Sequence, residues 1–179
     1  LLVFVLDRCT DNSIELAETI TTDLDVRFVI KTIGENFSAG LTRDFGIMYL
    51  DVNFPDYDYV LFTDGDCIAG PTLVESHIDN LNRVKDTHSI SCGRRLLQNK
   101  DKTYTDDERD DWANGFCFTE RNGRIIVSSH MAIHSILTFS CNLAFNRKAI
   151  EKCKEINLKL SNSDRLFNPE FDGKCGGED

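Results

Sequence analysis

Proline is scarce, with three in 179 residues, and 41% of the chain is hydrophobic, a composition that excludes intrinsic disorder. No apolar run approaches the ~20 residues that cross a bilayer, so the sequence predicts no membrane span. Positive charge is also short. Twenty Lys and Arg against thirty Asp and Glu give a net charge of −10, which repels a nucleic-acid backbone over most of the surface. Any phosphate-bearing ligand then needs a metal or a local arginine cluster to screen it. No C-x-x-C pair occurs among Cys9, Cys67, Cys92, Cys117, Cys141, Cys153 and Cys175, and seven cysteines cannot close into a complete disulfide set. They read as reduced thiols serving as small buried hydrophobes, which predicts a cytoplasmic location. His77, His88, His130 and His134 make no zinc set: the last two are four apart but lack the acid of H-E-x-x-H, so surface or packing roles are expected. The single tryptophan, Trp112, beside the charged loop, reads as a loop anchor into the core or as an aromatic face on which a sugar could stack. The chain has neither a starting Met nor a signal-like leader and opens inside the apolar run LLVFVL, so it reads as a piece of a longer reading frame.

The length suits one domain over residues 1–179 with a full core. Leu1 to Leu6 is a continuous apolar run of buried-strand type, followed by turn and capping residues and a helix through Thr22. Val26 to Ile30 reads as a strand, and Leu41 to Leu50 as a helix with Leu41, Phe45, Met48 and Tyr49 on one face. Tyr59 to Phe62 reads as a strand, and a helix with Pro71 at its first position runs to about Val84. His88 to Leu97, Arg124 to Ser128 and Leu137 to Phe145 are further strand candidates. Arg147 to Ile156 is a helix, followed by a polar connector, Asn157 to Ser163. Asn99 to Asp111 is charge-dense and lacks periodicity. Strands alternating with helices predict an α/β fold with a mostly parallel, Rossmann-like sheet flanked by helices. In such sheets ligands sit beyond the carboxyl ends of the strands.

The stretch YDYVLFTDGDCI, Tyr57 to Ile68, concentrates the chemistry. A short apolar strand runs into Asp64 and Asp66 with Gly65 between them, and strand alternation would send both carboxylates to one side. Two carboxylates at a strand end suit a hard divalent cation, Mn²⁺ or Mg²⁺. Strand exits are also rich in Asp and Gly for turn reasons alone. The terminal stretch FNPEFDGKCGGED places Gly176 and Gly177 before Glu178 and Asp179, glycines that admit close approach of a ligand followed by acids.

Four segments together resemble glycosyltransferases of the GT-A fold, in that family's order. VLDRCTDNS at Val5 to Ser13 is similar to the V-D-D-G-S-T-D-x-S turn, SAGLTRDFGI at Ser38 to Ile47 to the A-R-N-x-G-I helix, FTDGDCI to the D-x-D metal motif, and FDGKCGGED to the F-x-G-W-G-G-E-D region. The likeness is to the inverting family 2 and to galactosyltransferases with a G-G-E-D ending. It implies that Asp7 holds the uracil of a nucleotide-sugar and that Arg43 steadies the donor nucleotide. It further implies that Asp66 ligates Mn²⁺ or Mg²⁺ while Asp64 faces the ribose or a metal-bound water. Asp179 would be the general base, Glu178 would hold acceptor hydroxyls, and Gly176 and Gly177 would make room for the donor sugar. The implied activity is metal-dependent transfer of a hexose or N-acetylhexosamine, with inversion, from a UDP-linked donor to a saccharide or glycan hydroxyl. Leu6, Asp44 and Cys175 depart from the family's usual Asp, Asn and Trp. The likeness also implies that the fold's first strand precedes Leu1.

Asp7 could instead cap the following helix, and Arg43 could be a surface or ion-paired arginine. Two rival functions fit parts of the sequence: a non-catalytic nucleotide-sugar or glycan-binding domain, and a haloacid-dehalogenase-like phosphatase with Asp64 as nucleophile. The second leaves the turn at Val5 to Ser13 unexplained.

Overall fold

The computed structural model describes residues 1–19, 23–31, 38–93, 116–121, 124–128 and 140–169, with the strands at 116–121 and 124–128 described by their backbone. The chain divides into two compact units, one formed by Leu1–Asp56 and Cys153–Glu178, the other by Tyr57–Lys152 with Asp179.

In the first unit, β1 (Leu2–Asp7) pairs in parallel with β2 (Val26–Lys31), in register from Leu2 opposite Val26 to Asp7 opposite Lys31. Phe4 and Phe28, partners in that register, stack with ring centroids 5.6 Å apart. The connecting helix α1 (Ser13–Glu18) is started by Asp11, whose Oδ1 accepts from the Ser13 backbone N–H and hydroxyl. It is shorter than the helix expected through Thr22; Thr19 follows as its C-cap, and residues 20–22 lie outside the described residues. The long helix α2 (Ala39–Asn53) packs on both strands. Ser38 caps it, its hydroxyl accepting from the Leu41 N–H at 3.1 Å. Gly46 brings α2 close to β1, since a Cβ there would sit 3.2 Å from Val5 Cγ2. The buried residues of α2 are Gly40, Asp44, Gly46 and Ile47, whereas Met48 is exposed. The helix is therefore turned away from the expected Leu41, Phe45, Met48, Tyr49 face, and a carboxylate occupies its buried side.

In the second unit, β3 (Tyr59–Phe62), β4 (His88–Cys92), β5 (Phe116–Arg121), β6 (Arg124–Ser128) and β7 (Leu143–Asn146) form a five-stranded sheet in the order β3-β7-β4-β5-β6. Every ladder in it is antiparallel. The chain is thus α/β, but the mostly parallel sheet expected from strand–helix alternation is confined, among the described residues, to β1–β2. The cause is local: β3 and β4 are joined through α3 (Leu73–Asn82) and run in the same direction, yet β7 inserts between them and runs against both. All four β7 residues are buried, and Phe145 meets Phe62 edge-on at 5.9 Å. Pro71 sits in the turn before α3 rather than at its first position, and Thr72 is the N-cap.

Helix α4 (Arg147–Ser161) follows β7 directly. Asn146 starts it: Oδ1 accepts from the Ala149 N–H at 2.9 Å and from the Ser89 N–H of β4, and Nδ2 donates to the Thr87 carbonyl. One side chain therefore caps the helix and fastens it to the neighbouring strand. The polar stretch expected as a connector from Asn157 is helical to Ser161, and Asn162, with φ of 52°, ends the helix in the left-handed region that Asn tolerates.

The core of this unit contains a polar cluster. His77 is 3% exposed; its Nε2 donates to Asn142 Oδ1 at 2.6 Å and its Nδ1 accepts from the Ser91 hydroxyl at 2.8 Å. Both ring nitrogens are thereby satisfied in the neutral form, and burial pushes the His77 pKa down, opposed by the bond to Asn142. Gly93 makes room for the cluster, since a Cβ there would lie 2.1 Å from the Asn142 amide, while the Gly93 N–H donates to the Asn142 carbonyl. Cys92 and Cys141 are buried, in keeping with thiols used as small hydrophobes, and Cys9, Cys67, Cys92, Cys141 and Cys153 are free thiols.

Two outcomes follow. Gly93→Ala must displace the Asn142 amide from His77 and should cost roughly 1–3 kcal/mol in urea denaturation. A histidine kept neutral by burial contributes stability that is present above its unfolded value of about 6.5 and is lost as pH falls below it. Native protein should therefore lose stability on acidification from about pH 6.5, and His77→Gln, which has no proton to gain, should show a smaller slope over the same window.

Candidate functional site

Asp7 is the last residue of β1, and its side chain is 6% exposed. Oδ1 accepts from Arg8 Nε at 2.8 Å and Oδ2 lies 2.7 Å from the Thr42 hydroxyl of α2. Asp11 holds the start of α1 locally, through the Ser13 N–H and hydroxyl, while Asp7 accepts from Arg8 and Thr42. Thr42 also lies 2.9 Å from the Ser38 carbonyl, so its single proton serves two acceptors. Arg8 adopts φ of 51°. For a non-glycine residue such a conformation costs on the order of 1–3 kcal/mol.

Three successive residues of α2 each reach a different group. Thr42 bonds Asp7, Arg43 places its guanidinium 5.8 Å from the centre of the Phe167 ring, and Asp44 turns inward. Asp44, 2% exposed, accepts from Arg165 Nε at 2.8 Å, from the Leu166 N–H at 2.8 Å and from the Phe167 N–H at 3.3 Å. Burial pushes its carboxyl above the usual carboxylate range, while the Arg165 guanidinium and the two N–H donors pull it back. The neighbour of the expected donor-binding arginine thus pins the chain segment that leads toward the G-G-E-D ending. An asparagine, usual at this place in the resembled family, could accept one N–H but could not balance the Arg165 charge.

In the second unit, β3 ends at Phe62, before the carboxylates. Residues 64 to 67 form a turn closed by the Cys67 N–H donating to the Asp64 carbonyl at 3.1 Å. Strand alternation therefore does not set the directions of Asp64 and Asp66; the turn does, with Gly65 and Asp66 at its central positions. Asp64 is half-buried and Asp66 exposed, with Cys67 Sγ 3.7 Å from Asp66 Oδ1. A Cβ at Gly65 would meet nothing within 4 Å, so the space beside the turn is open. Carboxylate oxygens beside open space are suitable donors for a hard cation whose remaining ligands are water or phosphate. Among the described residues no group of three or more His, Cys, Asp or Glu is placed to hold a metal by itself.

The structure therefore places Asp7 at the end of β1 bonded to Thr42, the residue before Arg43, in the first unit, and Asp64 and Asp66 on one turn of the second. Gly176, Gly177, Glu178 and Asp179 lie outside the described residues, as do Trp112, His130 and His134. Sequence reasoning missed Arg8, Thr42, Asp44 and Arg165. The available signals were an arginine directly after a strand-ending Asp, and the run Thr42-Arg43-Asp44, in which three polar residues in succession cannot all face solvent on a packed helix. No protein-family model matches the chain, and no curated protein or solved structure matches it significantly. No helix among the described residues is long and apolar enough to cross a membrane.

Asp44→Ala would leave Arg165 and two N–H groups buried without their acceptor, and a loss of roughly 3–5 kcal/mol is expected. Asp44→Asn should lose less. The midpoints of urea unfolding for the two variants check the order.

Proposed function

We propose that this chain is a metal-dependent glycosyltransferase domain of the GT-A type, which takes a UDP-linked hexose or N-acetylhexosamine and transfers it to a saccharide or glycan hydroxyl. The observation that carries the proposal is the Asp64-Gly65-Asp66 turn. Two carboxylates follow the carboxyl end of β3, one exposed and one half-buried, with open space at the glycine between them. The ordered sequence likeness over four segments supplies the reaction type.

A bound Mn²⁺ or Mg²⁺ would neutralise the leaving diphosphate. In this reading Asp66, the more exposed of the pair, is the direct ligand, and Asp64 orients the ribose or a coordinated water. Gly65 leaves room beside them for phosphate oxygens, because no side chain projects there. Arg43 and Asp7 hold the nucleotide end of the donor. Asp179 takes the proton from the acceptor hydroxyl, a contribution typically worth about 10²–10⁴-fold in rate. Glu178 holds acceptor hydroxyls, and Gly176 and Gly177 admit the donor sugar. Because the acceptor oxygen, its proton passed to Asp179, would attack the anomeric carbon on the face opposite the departing UDP, the new C–O bond forms as the bond to the diphosphate breaks, and the configuration inverts.

Calorimetry tests the donor assignment. UDP should bind only with Mn²⁺ or Mg²⁺ present, and Asp66→Ala should abolish that metal dependence. Saturation at a hundredfold excess over Kd should raise stability by about 2.7 kcal/mol. Unchanged tight binding in excess chelator contradicts the proposal. Metal-dependent UDP binding with no UDP release when glycan acceptors are offered would assign a binding domain without turnover.

A further inference from the structure

A carboxylate on an exposed turn must be ordered before it can hold a cation, and that ordering subtracts from affinity unless another group has already supplied it. Asp66 is such a carboxylate. It is exposed, at a central position of the turn from Asp64 to Cys67. The backbone on either side of it is fixed: β3 pairs with β7 as far as Phe62 opposite Leu143, and the Cys67 N–H closes the turn on the Asp64 carbonyl at 3.1 Å. Neither contact sets the torsions of the Asp66 side chain.

The next side chain does. Cys67 Sγ lies 3.7 Å from Asp66 Oδ1, a distance at which the thiol donates to the carboxylate. A thiol is a weak donor, but a carboxylate is the acceptor that strengthens it most. Cys67 is half-buried whereas Asp66 is exposed, so the donor is the more restricted of the two and imposes its position on the other. Among the described residues Asp66 Oδ2 has no donor, which leaves that oxygen available beside the open space at Gly65. Cys92 and Cys141, by contrast, are buried as small hydrophobes.

We propose that Cys67 is a positioning residue for the cation: its thiol holds Asp66 Oδ1 and so presets the carboxylate that ligates Mn²⁺ or Mg²⁺. This deepens the reading of the Asp64–Cys67 turn given above and rests on it for the presence of the cation. All the groups it invokes belong to that one turn.

Electron paramagnetic resonance of Mn²⁺, whose free-ion signal falls as the ion binds, tests the assignment on the native chain, Cys67→Ala and Cys67→Ser. Both variants keep the backbone N–H that closes the turn, so they separate the thiol from the turn itself. Cys67→Ala should weaken Mn²⁺ binding by about tenfold, the low end of the cost of removing a hydrogen-bond partner from a ligating carboxylate. Cys67→Ser, which restores a donor, should bind within about threefold of native. The metal-free Tm of both should stay within about 2 °C of native, as for a change outside the core. Native-like affinity in Cys67→Ala, an equal loss in both variants, or a fall in Tm that tracks the loss of affinity overturns the assignment and leaves the cation reading standing. Mn²⁺ binding that depends on the thiol, while calorimetry detects no binding of UDP, supports the assignment and overturns the nucleotide reading. No Mn²⁺ binding by the native chain, with or without UDP, overturns both.

Discussion

The carboxylate of Asp7 joins three elements that would otherwise be linked only by packing. It ends β1, fixes the left-handed residue that follows, and receives the Thr42 hydroxyl of α2. Because the side chain is nearly buried, each of its oxygens must be matched by a donor. That requirement sets the approach of α2 to the strand end, where Gly46 lets the helix come close to Val5. The next two residues of α2 extend the same arrangement to the chain after α4, through the contact of Arg43 with Phe167 and the three donors gathered by Asp44. A short stretch of one helix therefore organises both the end of β1 and the segment that leads toward the terminal acids.

The second unit solves a different problem. Its sheet is antiparallel, and its interior includes the imidazole, hydroxyl and amide of His77, Ser91 and Asn142, each serving as partner to another. Polar groups in a core are tolerated when they are all bonded, and they then favour one arrangement of the elements carrying them. Here they tie α3, β4 and the turn before β7 together. The carboxylate turn follows β3 in the same unit, so the candidate cation ligands are carried by a short loop on a strand whose position is fixed by the buried strand β7.

Much of this was legible in the residues. The apolar runs at β1 and β3, the turn and capping residues before α1, and the helices over Leu41 to Leu50 and from Arg147 follow local chemistry that a sequence displays directly. The sheet's direction was not, because alternation of strands and helices says which strands run alike and not which lie side by side; β7 arrives from 80 residues later to separate β3 from β4. Strand β5 was missed although Asn122-Gly123, a strong hairpin signal, stands directly between it and β6. At the candidate site, Asp64 and Asp66 stood out by type and spacing, and Asp7 and Arg43 only through the likeness of their segments to the resembled family. Their partners were not: Thr42 lies 35 positions from Asp7, and Arg165 lies 121 from Asp44. Such bonds are fixed by packing, and nothing in the local pattern announces them.

The central claim is that the turn at Asp64 to Cys67 holds a divalent cation together with a sugar nucleotide's diphosphate. Paramagnetic line broadening by Mn²⁺ reads this directly, by titrating substoichiometric Mn²⁺ into isotope-labelled protein with UDP present and following the backbone amides. The account predicts that the amides of Gly65, Asp66 and Cys67 broaden first and that excess Mg²⁺ restores them. Broadening that begins elsewhere and leaves these amides sharp at saturation would contradict it.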